Sequence, residues 1–591
     1  MLNQHPAHLH NRPSPAIVAQ DAVWRLPRWL LWALCSIYIS TGFIWRDPWK
    51  SADAIALGFM QALAEGRSHW LQPTLLDHAA PAFTWLPYYL GAISIKLSPA
   101  FIPLDMAARI PFALLLLGTL MAVWYATYLL ARAPDAQPLP FALGGEAKPV
   151  DYGRTVADGS LLAIMATLGL AQLGHEATPT LARLFFVALW LYSAAAQELR
   201  PRKALWAASC ASIGLAFSGA PLLALLLAGL LLITNRLQAA AQVPNPEDAE
   251  LKSARQTKVF LIALAACCGS IVLQTLQSGS FGLVLSNWWL SIGMRPAGSL
   301  GRLLAWFLWP TGLMAVVALF VWRRWWRSPH ILLPASIAAL TSLQIFFNWQ
   351  SDRALLLATP ALAVLAAMYL PAMRRTISAW IDWFALLFFS SCALLMWGVW
   401  FSLQTGWPAQ PARNVERLLP GFSYDSNWWG FAAAVIASIA WLRLIHWRVG
   451  RDRSALWKSL ALPAGGAALC WLLLMSLWFP MLNYARGYSS MMQLVQDYVA
   501  QAPHVTEGRA DCAYVHKISP EQTAALFLYK PLPIYAYQEP YSHHCRWFLV
   551  SRENIGSMPD LVGEQLWELQ ATIQRPSDKD EYLMLYKRAA P

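Results

Sequence analysis

Long apolar runs separated by short basic clusters dominate this sequence, and they leave a helical membrane protein as the architecture open to it. A helix needs about 20 apolar residues to cross the hydrocarbon core, fewer where the bilayer thins. Such runs lie near 29–44, 104–131, 159–173, 180–197, 205–217, 221–234, 258–277, 301–322, 331–348, 354–370, 382–404, 429–446 and 459–480, about thirteen spans. Composition agrees: 57% of the 591 residues are hydrophobic and 13% charged, whereas soluble domains carry about 25% charge. The 32 Trp suit many helix ends at a bilayer interface. The net charge of +12 sits in clusters between runs, which is the pattern that fixes topology and not that of a nucleic-acid-binding face. The first run, Trp29 to Ile44, has no small-residue cleavage site after it and reads as a signal anchor.

Basic loops follow the positive-inside rule if residues 1–28 are cytoplasmic and the stretch 205–233 is broken at GLAFSGAP (Gly214 to Pro221), where Gly and Pro interrupt the run. A single span there would put every later basic cluster outside, so the rule favours an odd count and an external C-terminus. The expected fold is an α-helical polytopic membrane protein with external juxtamembrane helices and a small C-terminal α/β domain. Its parts are a tail (1–28), a membrane domain (29–482) with the external loop 45–103, and an external domain (483–591). In the loop, SADAIALGFMQALAEG and PAFTWLPYYLGAISIKL read as helices lying along the membrane surface. CAYVHK, PIYAYQ, RWFLVSRE and EYLMLYKR read as strands of the external domain. Cys512 and Cys545 stand there apart from the six membrane cysteines; an oxidising compartment would pair them, the alternative being two free thiols.

No phosphate-binding glycine loop, zinc-ligand spacing or nucleophile elbow occurs, so chemistry is sought at the outer ends of spans. WRDPWKSADA puts Arg46 and Asp47 at the exit of the first run, followed by Lys50 and Asp53. A carboxylate fixed there can take a proton from an acceptor, and the neighbouring cations can stabilise a departing phosphate; the plain alternative is a solvated helix exit. HWLQPTLLDHAAP adds His69, Asp77 and His78, and GHEATPT adds His175 and Glu176 beside a span, where charge is costly unless paired. Asp352 and Arg353 open a later span; Arg353 either binds phosphate or anchors the helix end.

In this order the segments resemble the membrane-embedded GT-C glycosyltransferases, which include lipid A aminoarabinose transferases and protein O-mannosyltransferases. The resemblance rests on the acidic start of the long loop, GHEATPT, GLAFSGAP, SDRALLLATPALAVLAA and NYARGYSSMMQLV. Where aminoarabinose transferases carry Glu-Lys-Pro-Pro this chain reads DHAAPAFTW, so Asp77 or His78 would have to substitute; Thr180 stands where relatives often have Asp, and Ser218 to Ala220 where they often have Thr-Lys-Gly. The resemblance implies a bacterial inner-membrane enzyme that moves a sugar from a polyprenyl-phosphate donor to an envelope lipid, glycan or protein on the periplasmic face. It implies inverting transfer with Asp47 as base, and a divalent metal ion as a possible aid to the phosphate. The rivals are a flippase of lipid-linked sugars, which would need mid-membrane charge and inverted repeats, and a non-catalytic scaffold. Arg183, near the outer end of its run, is the one charge that stands out within a span and reads as snorkelling.

Overall fold

Backbone groups in lipid have no water to bond, so apolar runs must close their hydrogen bonds within helices. In the computed structural model each of the runs above is helical over most of its described residues. The residues described are 14–44, 46–49, 51–239, 246–279, 297–347, 352–425, 427–450, 455–501, 510–537, 545–557, 567–578 and 580–588. The first ten helices are α1 (Arg28–Phe43), α2 (Ala52–Ala64), α3 (Leu86–Leu97), α4 (Leu104–Ala131), α5 (Pro149–Ala166), α6 (Leu168–Leu173), α7 (Pro179–Ala196), α8 (Pro201–Ala216), α9 (Pro221–Ala239) and α10 (Pro246–Ser278). Six helices are individually long and apolar enough to cross a membrane, and up to eight spans result if two bent pairs each count as one, among the described residues. One bent pair is Lys458–Leu474 with Phe479–Arg486, turned by 71°.

The expected break near Gly214 to Pro221 is real. α8 ends at Ala216 and α9 begins at Pro221, with Gly219 at φ +86°, a conformation that glycine adopts without a Cβ penalty. The carbonyls freed by the break are used: Phe217 O accepts the amides of Trp85 and Leu86 at 3.0 and 2.9 Å, and Ser218 O accepts Arg183 Nε at 2.5 Å. Arg183 is thereby tied to the break instead of snorkelling as the sequence reading had it, because an end-of-helix carbonyl lies within reach.

The run of α2 from Asp53 to Leu63 is buried almost throughout. It packs against α3 and α4 and is covered by the helix Pro520–Tyr529 of the C-terminal domain, a contact the sequence reading did not anticipate. At Gly58 the approach is so close that a Cβ would lie 2.7 Å from that of Ala524. Lys530 pairs with Glu65 at 2.7 Å across the same seam.

After Ser489–Gln501 the chain builds a five-stranded sheet of order β4-β3-β5-β7-β6: β3 (Ala510–His516), β4 (Ile534–Ala536), β5 (Cys545–Ser551), β6 (Trp567–Gln574) and β7 (Tyr582–Arg588). Strand β3 runs parallel to β4 and β5, while β5, β7 and β6 are antiparallel neighbours. A disulfide joins Cys512 on β3 to Cys545 on β5. The helix Pro520–Tyr529 starts with a reciprocal capping box between Ser519 and Gln522. A two-residue hairpin in the long loop, β1 (Thr74–Leu75) with β2 (His78–Ala79), faces this domain: His78 Nε2 lies 3.1 Å from Ile518 O.

Candidate active site

Beyond α1 the chain turns inward. Arg46 and Trp49 are buried and Asp47 partly so, before α2 starts at Ala52. Asp53, in the first turn of α2, is wholly buried. Its Oδ2 receives Arg46 at 2.9 Å and Arg109 of α4 at 3.1 Å, and its Oδ1 receives the amide of Ala177 at 2.9 Å. Arg109 also donates to the Arg46 carbonyl and to Asp105 at 3.3 Å, one helical turn away. Burial alone would raise the Asp53 carboxyl; Arg46, Arg109 and the amides of Ala177 and Trp49 reverse this and hold it below its ordinary value. A carboxylate so bonded is fixed in its charged form and closed to solvent. This network locks the start of α2 to α4 and to the turn before α7.

The same turn carries His175 and Glu176, both buried. His175 Nε2 lies 2.8 Å from Tyr38 O and Nδ1 2.5 Å from Ala171 O, with the ring stacked on Trp471. Burial pulls its pKa down to about 4, against the two carbonyls, which favour the charged ring. Gly42 makes room, since a Cβ there would lie 2.3 Å from the imidazole. Glu176 takes Nη2 and Nε of Arg353 at 2.7 and 3.2 Å.

Asp47 differs from these groups. It is half-buried and accepts a hydrogen bond from Ser489, and among the described residues no ion pair engages it. Burial raises its carboxyl above the ordinary value, with Ser489 and Arg109 opposing and Asp105 adding to the rise. Tyr529 lies within electrostatic reach, its phenol pushed up by burial and by Asp47. The backbone at Gly487 borders the carboxylate, a Cβ there falling 3.2 Å from Oδ2. The neighbouring Arg486 is exposed, with its guanidinium 5.4 Å from the centre of the Trp49 ring, whose other cation is Arg46 at 4.7 Å. Trp49 is held by a bond from Nε1 to Asn483 at 2.9 Å. The site is thus a half-buried carboxylate with a raised pKa bordered by the backbone at Gly487, the residue after an exposed arginine that rests on an aromatic ring.

No protein-family model and no curated protein matches the chain. Among solved structures it is similar to ArnT from Cupriavidus metallidurans. Both the crystal structure bound to undecaprenyl phosphate and the one in the apo state align at 12% identity with a TM-score of 0.60, over 94% of this chain and 98% and 97% of those chains. The fold is that of ArnT. The archaeal oligosaccharyltransferase AglB from Archaeoglobus fulgidus aligns at 9% identity and a TM-score of 0.44, over 89% of this chain and 70% of that one.

Within the ArnT fold the sequence-derived candidates separate by burial. Arg46, Asp53, His175, Glu176 and Arg353 form one linked group, with Arg46 Nη2 donating to Asp53 and to the His175 carbonyl and Arg353 donating to Glu176. Asp53 and His175 are engaged by internal bonds and serve the frame of the site in place of the substrate contact expected of them, whereas Arg46 is buried with Nε and Nη1 unbonded among the described residues. His69 and Asp77 are exposed, on and beside the hairpin, and His78 bonds the C-terminal domain, so these three do not join the cluster. Lys50 lies outside the described residues. The sequence reading missed Arg109, Trp49, Ser489 and Arg486. Arg109 and Asp105 had a signal, an i, i+4 charge pair in the first turns of an apolar run. Among the described residues no three His, Cys, Asp or Glu side chains converge to hold a metal ion, and no step is routed through one.

Proposed function

We propose that this membrane protein is a glycosyltransferase that takes a sugar from a polyprenyl-phosphate donor and passes it to an envelope lipid, glycan or protein on the periplasmic face. The observation that carries the reading is Asp47, a carboxylate with a raised pKa and no ion-pair partner among the described residues, bordered by the backbone at Gly487, which follows exposed Arg486 in the chain. It sits in a fold shared with an enzyme whose crystal structure is bound to undecaprenyl phosphate. In this reading Asp47 removes the acceptor proton as the acceptor oxygen or nitrogen attacks the anomeric carbon. The bond from that carbon to the phosphate oxygen breaks, and its electrons leave on the polyprenyl phosphate. A base with a pKa lifted toward the working pH suits this step. Arg486 meets the charge that grows on the phosphate, a contact that strengthens in the transition state, while the flat ring of Trp49 fixes the guanidinium.

Replacing Asp47 with Asn removes the base without changing size. With equal membrane expression, the expected outcome is loss of one sugar-bearing envelope species by mass spectrometry, the same species that disappears on gene deletion. Wild-type products from Asp47→Asn would remove Asp47 as base.

A further inference from the structure

At the opposite end of α1 from Asp47 lies a cavity of about 840 Å³, between α1, α4 and α5. The length of α1, 16 residues, separates the two ends by about 24 Å at 1.5 Å per residue. The cavity is large enough for a lipid headgroup and the first part of its chains.

Its walls divide by chemistry. One end carries Arg25, Arg28, Arg154 and Arg200. Arg25 is paired to Asp151; among the described residues Arg28, Arg154 and Arg200 have no salt-bridge partner. The single carboxylate in the wall, Asp158, is already engaged: its two oxygens accept Trp124 Nε1 at 2.9 Å and the Leu26 amide at 3.0 Å. The deeper wall is apolar and aromatic, with Trp124 and Tyr128 stacked 5.5 Å apart, and Trp32 exposed at its edge.

We propose that this cavity binds an anionic phospholipid of the phosphatidylglycerol class, with its phosphate among Arg28, Arg154 and Arg200 and its chains along α1 and α4. The charge count favours it, since Arg25 is neutralised by Asp151 but the other three arginines face one occupied aspartate. Basic pockets between membrane helices take anionic headgroups in this way, and arginine matches phosphate geometry. The site lies across the bundle from Asp47 and does not depend on the glycosyltransferase reading.

The full-length protein, purified in detergent, is photolabelled with a photoactivatable phosphatidylglycerol or the matching phosphatidylcholine, and labelled peptides are mapped by mass spectrometry. The expected result is labelling of α1 and α4 at least tenfold above phosphatidylcholine, unaffected by inorganic phosphate. In Arg154→Gln/Arg200→Gln it falls about tenfold and in the corresponding double lysine variant it is kept. Equal labelling by the two lipids overturns the proposal even if the glutamine variant does not fold. So does undiminished labelling of the folded glutamine variant, or competition by inorganic phosphate, which would mark a site for the bare anion.

Discussion

Two aspartates six residues apart answer to opposite physics. Asp53 has a lowered pKa in the folded protein, so its contribution to stability is present above the ordinary carboxylate pKa of about 3.9 and is lost as the pH falls through the folded value. Asp53→Asn leaves Arg46 and Arg109 buried without their carboxylate, a loss of about 3–5 kcal/mol at neutral pH. A melting scan in detergent should show it as a large downward shift that shrinks toward acid. Asp47 has a raised folded pKa, so its protonated form favours folding; that favour is present below the unfolded value and is lost as the pH rises through the folded one. Asp47→Asn should therefore melt no lower than wild type at neutral pH while transfer is lost. In the wild type, transfer should climb with pH through a midpoint above the ordinary aspartate value. A stable, inactive Asp53→Asn would reverse these assignments. Sequence alone could place both carboxylates at the exit of α1, but which was the buried anchor was decided by Arg109, which lies 56 residues after Asp53.

At the scale of elements, the decisive contact is α2 against the helix Pro520–Tyr529, since it sets the C-terminal domain over the loop that carries Asp47. The seam depends on Gly58, where a Cβ would fall 2.7 Å from Ala524 Cβ and 3.0 Å from its Cα. Gly58→Leu is expected to cost about 1–3 kcal/mol through overpacking and to speed hydrogen exchange in 520–529 without altering exchange in α4. Unchanged exchange in 520–529 would mean that the two helices are not held against each other. Such a contact left little trace in the sequence. The apolar periodicity of SADAIALGFMQALAEG was legible, but a helix buried on one side by lipid and one buried by a distant domain have the same pattern. The break between α8 and α9 was legible because Gly and Pro act locally. Strand β6 was missed because WELQATIQ exposes most of its residues at the sheet edge and its apolar alternation is weak.

For the whole molecule, the thirteen apolar runs are helices, yet few are long enough alone to cross a bilayer, so composition gives the class of protein more firmly than the number of crossings. Parity is the quantity that matters. An odd number puts the two termini in opposite compartments, and the positive-inside rule then predicts the Arg25 and Arg28 end of α1 in the cytoplasm and the Asp47 end, with the disulfide-bearing sheet, outside. Single cysteines at exposed Asp21 and Glu553, placed in a background lacking the six unpaired cysteines, test this directly. A membrane-impermeant maleimide added to spheroplasts should label Glu553→Cys at once and Asp21→Cys only after the membrane is permeabilised. Labelling of both, or of neither, in intact spheroplasts would make the count even. The C-terminal domain that packs on α2 and the N-terminal end of α1 would then share a compartment, although they lie at opposite ends of one helix bundle. That outcome would contradict the fold itself as well as the charge pattern, because Ser489 reaches Asp47 at one end of α1 while Arg25 pairs with Asp151 at the other.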